Sequence, residues 1–313
     1  MTPRSLWLGL VILLAGALFW GEPARAQTGP DPTALARQVL DATGVRGGLV
    51  VHVECGDGRL TAALRAGEAY TVHGLAQSRA DVQRARAYLQ GRGLCGPVAV
   101  DRWDGQRLPY ADSLVNLLVC AEGGAVTPAE VTRVLAPNGV AYLRRDGQWQ
   151  ATTKPRPADI DDWTHYLHDA TGNPVAQDAQ VGPPRGLRWV AGPRWARHHD
   201  HMASMTSFAS ANGRLFYVFD EGPAASIQLP SQWRLIARDA FNGALLWKRD
   251  LPSWNTHQWP LKSGPAHLLR RLVAVGDRVY ATLGLDAPVS ALDAATGEPA
   301  LTYEGSERTG EIL

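Results

Sequence analysis

The sequence predicts a doubly wound α/β domain followed by an all-β part, with an export signal in front. Three observations support this prediction. Helical and strand-like patterns alternate over residues 30–150, helical periodicity then disappears, and seven of the eleven Trp residues lie beyond residue 162. Alternating strands and helices indicate a parallel sheet, whereas short strands between turn signals indicate antiparallel sheets.

The composition is that of a folded globular protein without a charge surplus. Hydrophobic residues make up 45% of the 313 residues and charged residues 19%. Lys plus Arg number 31 and Asp plus Glu number 30, so no basic excess indicates nucleic-acid binding. Three Cys residues are too few for a disulfide scaffold.

Residues 1–26 have the pattern of a secretory signal peptide. Arg4 precedes an apolar run over residues 6–20, and an Ala-Arg-Ala cleavage pattern occupies residues 24–26. An uncleaved anchor is the alternative. Either way, the mature chain is expected in the periplasm or outside the cell. No later stretch is apolar enough to cross a membrane.

Residues 28–150 alternate between helices and strands. Helices are predicted at 31–42, 60–66, 80–90 and 127–135, the last opened by a Thr-Pro-Ala-Glu capping box. Strands are predicted at 48–53, 70–75, 98–101, 114–120 and 139–144. The fourth is apolar almost throughout, as expected for a strand covered on both faces.

The pattern changes after residue 150. Residues 151–185 are predicted to be a Pro-rich linker and lead-in, and residues 186–313 an all-β part. Strands are predicted there at 214–219, 233–238, 244–247, 272–275, 278–283 and 289–292.

The all-β part contains an internal repeat. Asp-Ala-Phe-Asn-Gly at 239–243 matches Asp-Ala-Ala-Thr-Gly at 293–297, and their aspartates are 54 residues apart. A hairpin unit of this length is typical of a propeller blade. We expect each Asp to hydrogen-bond the backbone of its own turn.

One loop has the pattern of a ligand-binding turn. The strand at 48–53 leads into Glu54, Cys55, Gly56, Asp57 and Gly58, and a helix follows. Glycines at this point allow a tight strand-to-helix turn and close backbone approach to a ligand.

Four segments in order, at 53–60, 72–78, 104–112 and 130–139, resemble the successive motifs of class I S-adenosylmethionine-dependent methyltransferases. The resemblance implies that Glu54, Gly56 and Gly58 line the methionine and ribose of the cofactor and that Asp104 lies by the adenine. The cofactor-binding set that it predicts is Glu54, Cys55, Gly56, Asp57, Gly58, Asp104 and Gly105.

Two features depart from this family. An acidic residue usually ends its second strand and binds the ribose hydroxyls, and Ala76 stands at that position. Loss of that charge-assisted hydrogen bond would weaken cofactor binding roughly tenfold or more. Export would also separate the domain from cytoplasmic S-adenosylmethionine. The sequence therefore favours a ligand-binding or structural module, and an active methyltransferase is the alternative.

The repeats resemble the blades of pyrroloquinoline-quinone-type β-propellers. Residues 237–247 and 290–297 fit their turn motif, and residues 162–169 resemble the lead-in to the first blade. About two blades fit into residues 186–313, whereas propellers commonly need four or more. We therefore expect an incomplete propeller from a truncated chain or gene fragment, with assembly from several chains as the alternative.

The quinone cofactor is implied by this resemblance alone. The calcium ligands, catalytic Asp and adjacent Cys pair of quinoprotein dehydrogenases have no identifiable counterparts. A scaffold that binds a small molecule or a protein is thus predicted ahead of a quinoprotein-type oxidoreductase. If the chain is an enzyme, methyl transfer is favoured over quinone-dependent oxidation.

Two smaller groups of residues have open interpretations. His199 and His201 share one face of a predicted strand and could ligate a metal with His165 or His168, but a polar interface is the favoured explanation and no metal is predicted. Cys55 and Cys120 lie at the ends of neighbouring strands, where free thiols are favoured over a disulfide because parallel neighbours have poor disulfide geometry. Glu122 is expected only to line the cleft.

Overall fold

Three β-sheets, four α-helices and one 3-10 helix make up the described part of the chain. The computed structural model describes residues 31–122, 125–183, 186–197, 204–226, 228–254 and 266–313. The predicted signal peptide, His199 and His201 lie outside these residues. Within them, no helix combines the length and apolar character that a membrane span requires.

The first sheet, here called the mixed sheet, has the strand order β3-β2-β1-β4-β5-β6. Its strands are β1 (Gly48–Val53), β2 (Tyr70–Ala76), β3 (Val98–Arg102), β4 (Val115–Cys120), β5 (Leu135–Arg145) and β6 (Gln148–Thr153). The first five strands are parallel, and β6 pairs antiparallel with β5. The predicted doubly wound domain is confirmed. Because β6 continues to Thr153, the sheet extends past the predicted boundary at residue 150.

Helices cover both faces of the mixed sheet. They are α1 (Pro32–Thr43), α2 (Arg59–Ala63), α3 (Arg79–Gly91) and α4 (Pro128–Val134). On one face, Val39 of α1 and Ala85 of α3 share a core with Val50 and Leu117. On the other face, Val131 of α4 packs with buried residues of β1 and β4. The helices therefore pack on the faces of the mixed sheet and not on the ends of its strands. The end at which the parallel strands start is called the amino edge below, and the end at which they finish the carboxyl edge.

The capping box predicted at α4 is half formed. The Thr127 hydroxyl accepts a hydrogen bond from the Glu130 backbone N–H at 3.3 Å. The Glu130 carboxylate accepts instead from the backbone N–H of Leu108 at 2.7 Å. Glu130 therefore ties α4 to the loop that follows β3.

Two four-stranded antiparallel sheets follow, here called repeat sheet 1 and repeat sheet 2. Repeat sheet 1 contains β7 (Met205–Ala211), β8 (Arg214–Asp220), β9 (Trp233–Asp239) and β10 (Leu245–Asp250). Repeat sheet 2 contains β11 (Leu272–Val275), β12 (Arg278–Thr282), β13 (Val289–Asp293) and β14 (Pro299–Tyr303). Each sheet is ordered as in the sequence, and β7 packs against β11. Phe216, Trp247, Leu272 and Val279 belong to one core shared by both sheets.

The two copies of the repeated turn are built alike. Asp239 Oδ1 accepts from the backbone N–H groups of Phe241 and Asn242 at 2.8 and 3.0 Å. Asp293 Oδ1 accepts from those of Ala295 and Thr296 at 3.0 and 2.9 Å. The predicted role of each Asp within its own turn is confirmed.

A Trp side chain lies against the glycine of each repeated turn. Trp247 Nε1 donates to the carbonyl oxygen of Ala294 at 3.1 Å, and Trp189 Nε1 donates to that of Ala240 at 3.0 Å. A Cβ at Gly297 would lie 2.6 Å from Trp247, and one at Gly243 would lie 2.4 Å from Trp189. Each indole ring therefore needs a glycine beneath it.

The segment predicted as linker and lead-in joins the two repeat sheets. The Ser210 N–H of β7 donates to the Trp163 carbonyl at 2.6 Å. The Ala274 N–H of β11 donates to the Thr164 carbonyl at 3.0 Å. Adjacent residues of the lead-in thus bond the first strand of each repeat sheet.

Candidate ligand-binding site

The glycine-rich loop lies at the carboxyl edge of the mixed sheet, directly after β1. Glu54, Gly56 and Gly58 all have positive φ angles, of 53°, 57° and 79°. A Cβ at Gly58 would lie 2.8 Å from the Cβ of Ala85, so this glycine allows α3 to pack against the loop. A Cβ at Gly56 would meet no atom within 4 Å, so space is left beside the loop.

The strand β2 ends at Ala76, and the side chain that projects directly after it belongs to Gln77. Ala76 is 0% exposed and therefore faces the core, whereas Gln77 is exposed. Gln77 Nε2 donates to Glu54 Oε1 at 2.7 Å. Gln77 Oε1 lies 2.8 Å from the point where a Cβ on Gly105 would be.

Three of the predicted segments therefore meet at one place. The Gln77 amide lies between Glu54 of the glycine-rich loop and Gly105 of the loop after β3. The neighbouring Asp104 accepts from the Gln106 N–H at 2.9 Å, and Gly105 has a φ of 84°. The predicted site did not include Gln77, because its contacts with Glu54 and Gly105 are long-range and leave no local sequence pattern.

The loop after β3 is fixed by α4. Arg133 Nη1 donates to the Tyr110 carbonyl at 2.7 Å, and Arg133 Nη2 donates to the Leu108 carbonyl at 3.1 Å. Arg133 also pairs with Glu130, and this hydrogen bond holds the pKa of the Glu130 carboxyl below its usual value. The predicted motif at residues 130–139 contains both residues. Their spacing of three residues on a helix indicates the ion pair but not its contacts with the loop.

Tyr110 anchors the same loop on the mixed sheet. Its hydroxyl is 2.7 Å from His73 Nδ1, and His73 Nε2 is 3.1 Å from Asp101 Oδ2. Burial raises the pKa of Tyr110, so the phenol stays protonated at neutral pH. The loop that contains Asp104 and Gly105 is thus held from β2, β3 and α4 together.

Two members of the predicted set have side chains that are already engaged elsewhere. Cys55 is 4% exposed and lies in the core, so only its backbone faces the loop. Asp57 accepts from the Arg59 N–H at 3.1 Å and pairs with its guanidinium at 3.2 Å. The carboxylate of Asp57 therefore stabilises the start of α2.

The buried cysteines are free thiols. Burial raises the pKa values of Cys55 and Cys120 to about 11, so both are protonated at neutral pH. The favoured free-thiol state agrees with the structure. Glu122, which follows β4, is exposed at the same edge of the sheet.

His165 and His168, the two described histidines considered for a metal site, have local partners. His168 Nε2 lies 2.7 Å from Asp161 Oδ2, and His165 Nδ1 lies 2.7 Å from Thr164 Oγ1. Among the residues that the structure describes, no group of three or more His, Cys, Asp or Glu side chains is arranged to hold a metal ion.

Comparison with known proteins agrees with this geometry. Residues 51–143 match the methyltransferase domain family. This segment begins in β1 and ends in β5, so it contains Glu54, Gln77 and Gly105. We therefore call residues 32–153 the methyltransferase-like domain. No curated protein sequence matches the chain.

Over about a third of its length, the chain is also similar to several solved structures. One is geranyl diphosphate C-methyltransferase from Streptomyces coelicolor, solved in complex with Mg²⁺, geranyl diphosphate and S-adenosyl-L-homocysteine. It is 19% identical in sequence, with a TM-score of 0.33, and the match covers 36% of this chain and 44% of that one. YcgJ from Bacillus subtilis is 20% identical with a TM-score of 0.31, over 34% and 48%. The [4+2]-cyclase SpnF is 24% identical with a TM-score of 0.33, over 36% and 46%. The chain thus spans about half of the length of these proteins.

Proposed function

We propose that the methyltransferase-like domain binds S-adenosylmethionine at the carboxyl edge of the mixed sheet and supports methyl transfer. The single observation that supports this most is the meeting of Glu54, Gln77 and Gly105 around the glycine-rich loop. Ligands of open α/β sheets bind at this edge.

The residues present fit the proposed cofactor. The open space beside Gly56 can take a ligand that approaches the backbone closely. The Glu54 carboxylate suits a cationic ammonium group, and the Gln77 amide can both donate to and accept from ribose hydroxyls. When bound, S-adenosylmethionine supplies an electrophilic methyl group.

The roles of the protein side chains follow from their contacts. Glu54 and Gln77 bind and orient the cofactor, while Glu130 and Arg133 hold the loop of Asp104 and Gly105 in place. The protonated thiols of Cys55 and Cys120 are not nucleophiles at neutral pH. The acceptor must therefore bring its own nucleophilic atom to the cleft.

The amide of Gln77 suits its position beside Glu54. A carboxylate there would lie within hydrogen-bonding distance of the Glu54 carboxylate, and two like charges so close would repel. An amide instead donates to Glu54 and leaves its oxygen as an acceptor. Cofactor binding through Gln77 thus needs no acidic residue at the end of β2.

Calorimetric titration of S-adenosylmethionine into the purified chain tests the proposal. We expect saturable binding, and we expect Gln77→Ala to weaken it about 5- to 30-fold, the effect of losing about 1–2 kcal/mol of hydrogen bonding. Gln90→Ala, an exposed change near the end of α3, is the matched control and should bind like the unchanged chain. A folded chain that gives no heat at millimolar ligand would overturn the proposal.

The repeat sheets favour a second, complementary role. We propose that they act as a propeller-type binding scaffold for a small molecule or a protein. Their packed first strands and their matching Trp-to-turn contacts support this role. Export of the chain stays a prediction from sequence patterns, and a quinone cofactor is implied only by the resemblance of the repeats.

A further inference from the structure

The amino edge of the mixed sheet, opposite the ligand-binding site, carries a polar contact with repeat sheet 1. Asn116 stands at this edge in β4. Its Oδ1 accepts from the Leu49 N–H at 2.7 Å and from Asn242 Nδ2 at 2.7 Å. Its Nδ2 donates to Asp239 Oδ2 at 2.7 Å. Every polar atom of this side chain is therefore used.

Asn242 completes the contact from the side of the repeated turn. Its Nδ2 donates to the Leu114 carbonyl at 2.9 Å as well as to Asn116 Oδ1. Its Oδ1 accepts from the Ala244 N–H at 2.9 Å, which closes its own turn. One side chain thus performs two tasks, with the oxygen stabilising the turn and the nitrogen contacting the mixed sheet.

The second copy of the turn performs only the first of these two tasks, the stabilisation of the turn itself. Thr296 stands where repeat sheet 1 has Asn242. The Thr296 hydroxyl accepts from the Glu298 N–H at 3.3 Å and lies 3.1 Å from Asp293 Oδ1. A threonine therefore builds the same turn but has no second group to donate to another sheet.

The receiving surface is shaped for an amide. Gly48 has a φ of 95°, and a Cβ there would lie 2.1 Å from Asn116 Oδ1. Any other residue at position 48 would displace the Asn116 side chain. Asp239 is 6% exposed, and burial raises the pKa of its carboxyl, so its hydrogen bond from Asn116 is shielded from water.

We propose that Gly48, Asn116 and the Leu114 carbonyl form a docking surface for a turn of the form Asp-Ala-x-Asn-Gly, and that Asn242 selects repeat sheet 1 as its occupant. Under this proposal, the difference between Asn242 and Thr296 determines which of the two repeated turns binds this surface. The docking surface joins the methyltransferase-like domain to the turn at residues 239–243, and a separate hydrogen bond from Asn138 Nδ2 to Asn212 Oδ1 at 2.7 Å lies outside it.

Hydrogen exchange of the whole chain, measured by mass spectrometry, tests this selection of one turn. Asn242→Thr keeps a residue that the second repeat already accommodates. We expect exchange at 45–49, 113–116 and 240–244 to accelerate about 10- to 100-fold, the effect of losing two hydrogen bonds. Exchange at 293–297 should stay unchanged. Thr296→Asn is the matched control and should leave exchange at 45–49 and 113–116 as it is.

A second variant protects the test from a folding failure. Asn116→Asp places a carboxylate against Asp239, and we expect it to accelerate exchange in the same three segments at neutral pH. Combining it with Asn242→Thr should add little further acceleration, because both changes remove the same contact. The proposal is overturned if Asn242→Thr leaves exchange unchanged, or if it accelerates exchange equally in both repeats.

Discussion

His52 is a buried histidine directly beneath the glycine-rich loop. It is 3% exposed, and its Nδ1 lies 2.8 Å from the Thr61 hydroxyl in α2. Burial lowers the pKa of His52 from 6.5 to about 4, because the charged imidazolium would lose its hydration. The folded protein therefore holds His52 neutral at neutral pH.

This burial predicts a dependence of stability on pH. Between pH 6.5 and about 4 the unfolded chain binds a proton at His52 and the folded chain does not. The free energy of unfolding should therefore fall as the pH drops through this window, by about 3 kcal/mol from this residue.

His52→Asn should remove this contribution, since asparagine does not titrate and can still form a hydrogen bond with Thr61. The measurement is the urea unfolding midpoint at several values between pH 7 and 4.5. If the unchanged chain and His52→Asn lose stability in parallel, His52 is not responsible.

At the residue scale, the sequence predicts loop residues better than the partners of those residues. Glu54, Gly56 and Gly58 form the predicted turn between β1 and α2, because glycine and strand patterns fix that turn. Gln77 was missed because its partners, Glu54 and Gly105, lie on two other loops and the sequence around Gln77 does not indicate them. Long-range contacts of Arg133 depend on tertiary packing and leave no local pattern.

At the element scale, Gly58 decides how closely α3 approaches the loop. Gly58→Ala would place a methyl group 2.8 Å from the Ala85 Cβ at a φ of 79°. We expect it to lower the free energy of unfolding by about 2–4 kcal/mol, from backbone strain and overpacking together.

Gly56→Ala is the matched control for Gly58→Ala. It has a similar φ of 57° but meets no atom, so it should cost only about 1 kcal/mol of stability. Urea unfolding of both variants at neutral pH provides the comparison. Equal losses would show that packing against α3 does not depend on Gly58.

Strands with apolar runs were predicted closely, and polar or interrupted strands were missed. The predicted and observed bounds of β1 agree, and those of β4 differ by one residue. β6 was missed because it is polar and largely exposed, β7 because it is rich in small residues, and β14 because it begins with Pro299. Their positions are set by pairing with neighbouring strands, which hydrophobic periodicity does not report.

At the scale of the whole molecule, the indole of Trp247 joins the two repeat sheets. Gly297→Ala would place a methyl group 2.6 Å from this ring at a φ of 73°. We expect a loss of about 2–4 kcal/mol in the free energy of unfolding. Gly276→Ala is the control, because it has a φ of 56° and meets no atom within 4 Å. Urea midpoints that shift equally for the two variants would contradict a joining role for Trp247.

The docking contact also sets a distance between the docked turn of repeat sheet 1 and the glycine-rich loop. Repeat sheet 1 lies at the amino edge of the mixed sheet, and the glycine-rich loop lies at the carboxyl edge. The six residues of β1 separate the two edges by about 20 Å. Under the proposed methyl transfer, an acceptor held at the turn of residues 239–243 would therefore have to be an extended molecule, longer than a compact metabolite, to reach the loop.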